Sequence, residues 1–286
     1  MARPHIEFIQ SQQVAWQPGA AIGLARRVQA KVLSRDPDDG AFTALVDIPP
    51  GEALAAPETL AASEEWFVLR GAIKCEEFRL ARHHYAYLPA GTTLGALRSP
   101  EGARLLVFRN APPAAGVASG IATDTRDATD DLMVVDAPAM PWDATVLDPK
   151  LLHLRMSRKI LRAAADGSCR TYLLAGLPHG RPADGRAGLE RHPHAEEMFL
   201  LSGDLAGPQG VMHPGAYFYR PRDILHGPHF SDLGFLMFMR NPGTNSIVTE
   251  WTAEKQGLAE APPYAPILPP GSPAAWAEPC HRDTDF

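Results

Sequence analysis

Residues 196–203 read EEMFLLSG, and residues 64–71 read EEWFVLRG. The two octapeptides lie 132 residues apart, and the same offset relates YAYLPAG (85–91) to YFYRPRD (217–223). Upstream, VAWQP (14–18) matches MPWDA (140–144). With one gap, KVLSRDPDDGAFTALVDIPPG (31–51) matches KILRAAADGSCRTYLLAGLPHG (159–180). Downstream, LLVFRNAPP (105–113) matches FLMFMRNPG (235–243). The chain is therefore two copies of one unit. Solenoid repeats run to about 20–50 residues, so a period this long means two tandem domains.

Within each copy the pattern is short strands and turns. Asp39-Gly40 and Asp166-Gly167 each separate two strand-like runs, as hairpin turns do. Apolar residues alternate with period two in AFTALVDI and MFLLSGDL, and neither core holds a strong helical stretch. The 28 prolines and 24 glycines fit the same picture. The expectation is an all-β chain with a sandwich or barrel in each half. Its divisions are a first domain over residues 1–112, a linker over 113–130, a second domain over 131–243 and a Pro-rich tail over 244–286. The linker is small, polar and Pro/Gly-rich; the tail, with PPYAPILPPGSPAAWAEP, reads as an extended arm packed on a domain or a partner subunit.

Composition excludes several functions. Of 286 residues, 21% are charged and the formal net charge is −6, with no basic stripe for nucleic acid. No apolar run approaches the ~20 residues that span a membrane, and MARPHIEFIQ lacks a signal peptide's apolar core. Three widely spaced cysteines form no CxxC and no disulfide framework, so a reducing cytoplasm is expected.

The second copy carries the chemistry. Residues 190–205 read ERHPHAEEMFLLSGDL. On a strand, His192, His194 and Glu196 share a face; a turn at Pro193 would take His194 off it. His226 follows a Pro-Arg-Asp turn in GAYFYRPRDILHGPH (215–229). A His-x-His pair alone is ordinarily solvated. Two imidazoles converging with a carboxylate suit iron, manganese, nickel, copper or zinc.

These residues resemble the two cupin motifs. The first is His-x-His, a few residues, Glu, six residues and Gly; His192, Glu196 and Gly203 fall on it. The second is Gly, five residues, Pro-x-Gly, two residues and His; Gly215, Pro221 and His226 fall on it, with Asp223 in the place of the second glycine. With its repeat, the chain resembles a bicupin, and the second copy is similar to bacterial cupins that include the sensor domain of zinc-binding anti-sigma factors. The resemblance implies two tandem cupin (jelly-roll) barrels, one divalent transition metal per chain with iron foremost, and a homodimer. It makes His192, Glu196 and His226 ligands. The family's first histidine falls on Glu190, so the fourth ligand is Glu190, His194 or absent.

In the first copy Glu190, His192, His194 and His226 map onto Glu58, Leu60, Ala62 and Leu94; Glu64 survives opposite Glu196, and Trp66 replaces Met198. One carboxylate cannot hold a transition metal, so the first barrel is expected to be metal-free, with Leu60, Leu94 and Trp66 filling it. Glu64 then needs a hydrogen-bond partner or solvent, and His83 and His84 are expected at the surface.

The expected activity is that of a metal-dependent oxygenase acting on a small organic substrate. Tyr219 and His229 are its candidate catalytic residues, with Tyr217 and Arg220 nearby. Tyr217 and Tyr219 share a strand face, so both enter the barrel or neither does. Met198 and Leu200 should line its inner wall. Two alternatives remain: a non-oxidative isomerase, decarboxylase or hydrolase, and a sensor.

Overall fold

The computed structural model describes residues 3–24, 28–54, 58–112, 131–144, 148–178, 180–280 and 286; at 52–54 only the backbone is described. The expected linker over 113–130 lies outside them. The described chain is built from antiparallel strands and four short 3₁₀ turns, and each half is a cupin barrel. The compact units are Met1–Arg3 with Ala15–Met140, and Pro4–Val14 with Pro141–Phe286.

In the first unit a seven-stranded sheet runs, in spatial order, Met133–Asp136, His84–Leu88, Glu64–Gly71, Ala103–Arg109, Phe42–Ile48, Gln29–Arg35 and Gln17–Pro18. A four-stranded sheet adds Glu52–Leu54, Leu97–Ser99, Ile73–Lys74 and Arg79–Leu80. In the second unit a six-stranded sheet runs Ile6–Gln10, Ala216–Arg220, Glu196–Gly203, Phe235–Pro242, Cys169–Gly176 and Ser157–Ala163. The central strands of the two sheets correspond, one repeat to the other.

The outermost strands are exchanged. Ile6–Gln10 precedes the first repeat but pairs with Ala216–Arg220 of the second unit. Met133–Asp136 precedes the second repeat but pairs with His84–Leu88 of the first. Residues 4–14 and 131–140 therefore lie in the opposite unit from the one that division by repeats gives them. The repeat match cannot register this, because an edge strand is chosen by the sheet edge it covers. All five residues of IEFIQ are buried. The tail also departs from a plain extended arm: Glu250–Gly257 is a strand paired with Arg186–Arg191. Beyond it, Ile267 bridges Glu7, and the Tyr264 hydroxyl donates to the Phe8 carbonyl at 3.0 Å.

The repeat extends to buried polar pairs. Tyr85 donates to Glu65 at 2.8 Å, and Tyr217 donates to Glu197 at 2.5 Å. It also extends to backbone packing. A Cβ on Gly71 would lie 2.0 Å from the Gly102 carbonyl oxygen, and one on Gly203 would lie 1.9 Å from that of Gly234. Both glycines have positive φ, 71° and 82°.

The first barrel's interior is filled. Leu60, Trp66 and Leu94 are buried in one apolar cluster with Phe78 and Val107. Burial of side chains this size stabilises by about 1.5–3 kcal/mol each. Glu64 is 1% exposed. It accepts from Trp66 Nε1 at 2.6 Å and from Arg109 Nε at 2.8 Å, which satisfies the buried carboxylate. His83 and His84 are half-buried rather than at the surface, because His83 stacks on Phe67 and His84 lies in a strand, 3.6 Å from Asp136.

Gly203→Ala should destabilise the second barrel by more than about 3 kcal/mol, since the side chain meets a carbonyl as well as a left-handed backbone. Gly167→Ala, at φ 77° with open space around it, should cost only about 1–2 kcal/mol. Thermal unfolding followed by circular dichroism compares them; equal losses would contradict the close-approach account.

Candidate metal centre

The strand Arg186–Arg191 delivers Glu190, and the turn after it delivers His192 and His194. Glu196 opens the next strand, Glu196–Gly203. His226 is brought back to Glu190 by a pair of backbone hydrogen bonds, Glu190 N–H to the His226 carbonyl at 3.0 Å and the reverse at 2.9 Å. Glu190, His192 and His226 thus offer three ligand atoms within 4.8 Å of one another, a set able to hold a metal ion. Glu196 stands beside them, its carboxylate 3.8 Å from His192 Nε2 and 3.7 Å from His226 Nε2.

Both imidazoles are oriented from behind. His192 Nδ1 donates to the Val248 carbonyl and His226 Nδ1 to the Ile224 carbonyl, each at 2.9 Å. That fixes the tautomer and leaves each Nε2 lone pair facing the carboxylates, the usual support of a metal-binding histidine. His194 is different. Its ring stacks on His192 at 5.1 Å, and its buried Nε2 has no hydrogen-bond partner among the described residues. It stands outside the three-residue set, while Glu190 is in it.

Arg220 governs the charge. Its Nη1 donates to Glu196 at 2.7 Å, its Nε to Glu7 at 2.5 Å, and its Nη2 to the other Glu7 oxygen. The guanidinium also lies 3.7 Å from the centre of the Phe218 ring. Burial alone would raise the Glu196 pKa, but Arg220, His192 and His226 outweigh it and hold the carboxyl at about 2. Glu7, likewise buried, is held low by Arg220. Glu190 lacks such a partner; burial and then the Glu196 charge push it up to about 7. Burial, with Arg220, takes His226 down to about 3 and His229 to about 4, so both rings are neutral at pH 7.

Glu190, His192, Glu196, Arg220 and His226 line one cavity of about 290 Å³ inside the second barrel. His229 lies on its wall, with Nε2 accepting from Arg220 Nη2 at 3.3 Å. Tyr219 does not reach it. Phe218 and Arg220 face inward, so Tyr217 and Tyr219 both face away. Met198 and Leu200 join the interior apolar cluster, and Met237 and Met239 form the cavity wall. Tyr172 and His153 line the cavity, Met212 is in the core, and Arg155 is exposed at a left-handed turn. Sequence reading missed Glu7 on the exchanged strand, together with Thr249 and Trp251, which the tail contributes to the wall.

Over residues 7–248 the sequence matches the model of a family described as Domain of unknown function (DUF4437). The chain belongs to that family. No curated protein matches this DUF4437 chain. Its fold is shared with a Nostoc punctiforme protein provisionally described as a dioxygenase, at 24% identity and TM-score 0.69, over 91% of this chain and 88% of that one. A Pseudomonas aeruginosa protein provisionally described as glyoxylate-induced matches at 13% identity and TM-score 0.60, over 89% and 94%. Lactobacillus farciminis oxalate decarboxylase matches at 8% identity and TM-score 0.54, over 86% and 88%. At these identities the likeness is one of fold. Among the described residues no helix is long and apolar enough to cross a membrane.

The depressed carboxyls of Glu7 and Glu196 contribute stability that is fully present above their unfolded value of 4.5. It is lost progressively as pH falls from there through about 2, the Glu196 value. Arg220→Met should therefore flatten the acid limb of the stability curve between pH 4.5 and 2, and lower stability at pH 7 by about 3–5 kcal/mol. Urea unfolding at a series of pH values checks it; an acid limb unchanged from wild type would contradict it.

Proposed function

We propose that the second barrel binds one divalent transition metal through Glu190, His192, Glu196 and His226 and acts as an oxygenase on a small organic substrate. The observation that carries this reading is the convergence of three ligand atoms within 4.8 Å, two of them imidazole nitrogens already oriented by backbone carbonyls, on the wall of a cavity. The donor set of two neutral imidazoles and carboxylates fits such an ion. When bound, iron there supplies Lewis acidity and redox chemistry toward dioxygen. Among structural neighbours, one is provisionally described as a dioxygenase, and another is an oxalate decarboxylase described for its proton-coupled electron transfer. Both descriptions concern electron-transfer or oxygen chemistry, which supports the redox reading over a purely hydrolytic one.

The chain's own residues divide the work. His192 and His226 present Nε2, and His226 does so without titrating near neutral pH. Glu196 stays charged because Arg220 holds one of its oxygens, leaving the other toward His192. Glu190 is the proton-sensitive member. His229 accepts from Arg220 and so supports the guanidinium rather than standing as a free base. The apolar walls of Phe218, Met237 and Met239 exclude water from the substrate.

Protein purified anaerobically should hold one equivalent of iron per chain by mass spectrometry, and His226→Ala should hold none. Stoichiometric zinc without oxygen uptake would contradict the oxygenase reading and favour non-oxidative chemistry. Cobalt(II) titrations should show affinity falling about tenfold per pH unit below the Glu190 value of about 7 and levelling above it, because a proton competes with the metal there. Glu190→Gln should bind more weakly with that pH step removed; a wild-type titration flat from pH 5.5 to 8.5 would exclude Glu190 as a ligand.

A further inference from the structure

The inward face of the second barrel is laid out in rows. Glu196 and Arg220 are register partners in the first row. Phe218, Met198, Met239 and Tyr172 are successive register partners in the next. Leu200, Met237, Leu174 and Arg158 follow in the third. Rows on one face of a sheet are two residues apart, on the order of 7 Å. Arg158 therefore starts from the opposite edge of the sheet and about two rows from the Glu196 end.

Arg158 lines the same cavity. Its Nε is buried and has no hydrogen-bond partner, and no ion pair to it is found among the described residues. A buried guanidinium N–H without an acceptor is costly. By contrast Arg220 is engaged with Glu7 and Glu196, and Asp148 with Trp251 Nε1 at 2.8 Å. Tyr172 lies between the two ends. Burial and the Glu196 charge raise its hydroxyl pKa, against the pull of Arg170 and Arg158, so it remains an O–H donor.

We propose that Arg158, with the Tyr172 hydroxyl, is an anion subsite, and that the substrate is a small organic acid whose carboxylate docks there. Its apolar body crosses the Phe218–Met239 row, which places its far end at Glu190, His192, Glu196 and His226. A guanidinium presents paired N–H donors that match a carboxylate. About 290 Å³ lies at the small end of ligand pockets, so the acid is of aromatic-ring size, smaller than a nucleotide. The assignment of the reacting end rests on the metal-centre reading; the anion subsite itself does not.

The test uses benzoate and phenylacetate, with benzamide and phenylacetamide as uncharged counterparts. Binding to the full chain is read by calorimetry and by tryptophan fluorescence, Trp251 lying on the cavity wall, with metal content measured on the same samples. The acids should bind at least tenfold more tightly than their amides. Arg158→Met should remove that preference while keeping wild-type metal content and melting temperature, Arg158→Lys should restore part of it, and Tyr172→Phe should weaken it several-fold. Equal binding of acids and amides, no binding of any probe, or an unchanged preference in Arg158→Met would overturn the subsite. If Arg158→Met does not fold, Arg158→Lys and Tyr172→Phe decide, and unchanged preference in both overturns it. An Arg158-dependent preference in a protein that takes up no metal would leave the subsite standing and remove the metal-centre reading.

Discussion

The second barrel depends on one buried guanidinium. Arg220 pairs with two carboxylates that the fold takes out of water, Glu7 from the exchanged strand and Glu196 from the barrel's central strand. Either carboxylate buried alone would be strongly unfavourable and would take up a proton. Shared across one arginine, both stay charged. The same contact fastens the strand Ile6–Gln10 to its sheet and fixes the carboxylate that stands between His192 and His226. Folding and site assembly are thus one event here, and the site is complete only when residues more than two hundred positions apart have met.

The first barrel shows what the same scaffold does without that centre. Its surviving carboxylate, Glu64, takes its guanidinium from Arg109 and a second donor from Trp66. The positions that carry His192 and His226 in the second copy hold Leu60 and Leu94 in the first, and the interior closes on apolar side chains; the space between Glu64, Trp66 and Leu97 is about 20 Å³. The duplicated pairs Tyr85–Glu65 and Tyr217–Glu197 sit on the other face of the sheet and are unchanged. The copies thus differ on the inward face, where the chemistry differs, and keep these polar contacts on the other.

The repeat at offset 132 made the architecture legible, and the spacing of His192, Glu196 and His226 made the centre legible. What was hidden has physical causes. Glu7 carries no local signal: it lies 213 positions from Arg220, on a strand whose destination is set by a sheet edge. Thr249 and Trp251 come from the tail, beyond the last segment that the repeat matches (235–243). Tyr219 misled because all five residues of AYFYR are buried, so no alternation of polar and apolar residues marks which side faces in. The choice between Glu190 and His194 turned on Pro193, whose local geometry spacing does not reveal. Arg158 carries no local signal: its row and its orphaned Nε exist only in the folded sheet.

A single metal is proposed among Glu190, His192, Glu196 and His226. Anomalous diffraction at the absorption edge of the bound metal, on crystals of the full chain, tests it most directly. One peak is expected in the second barrel, about 2.0–2.1 Å from Nε2 of both His192 and His226, and none in the first. A peak ligated by His194 in place of Glu190 would correct the ligand set. A peak elsewhere in the chain, or no peak after metal loading, would contradict the account.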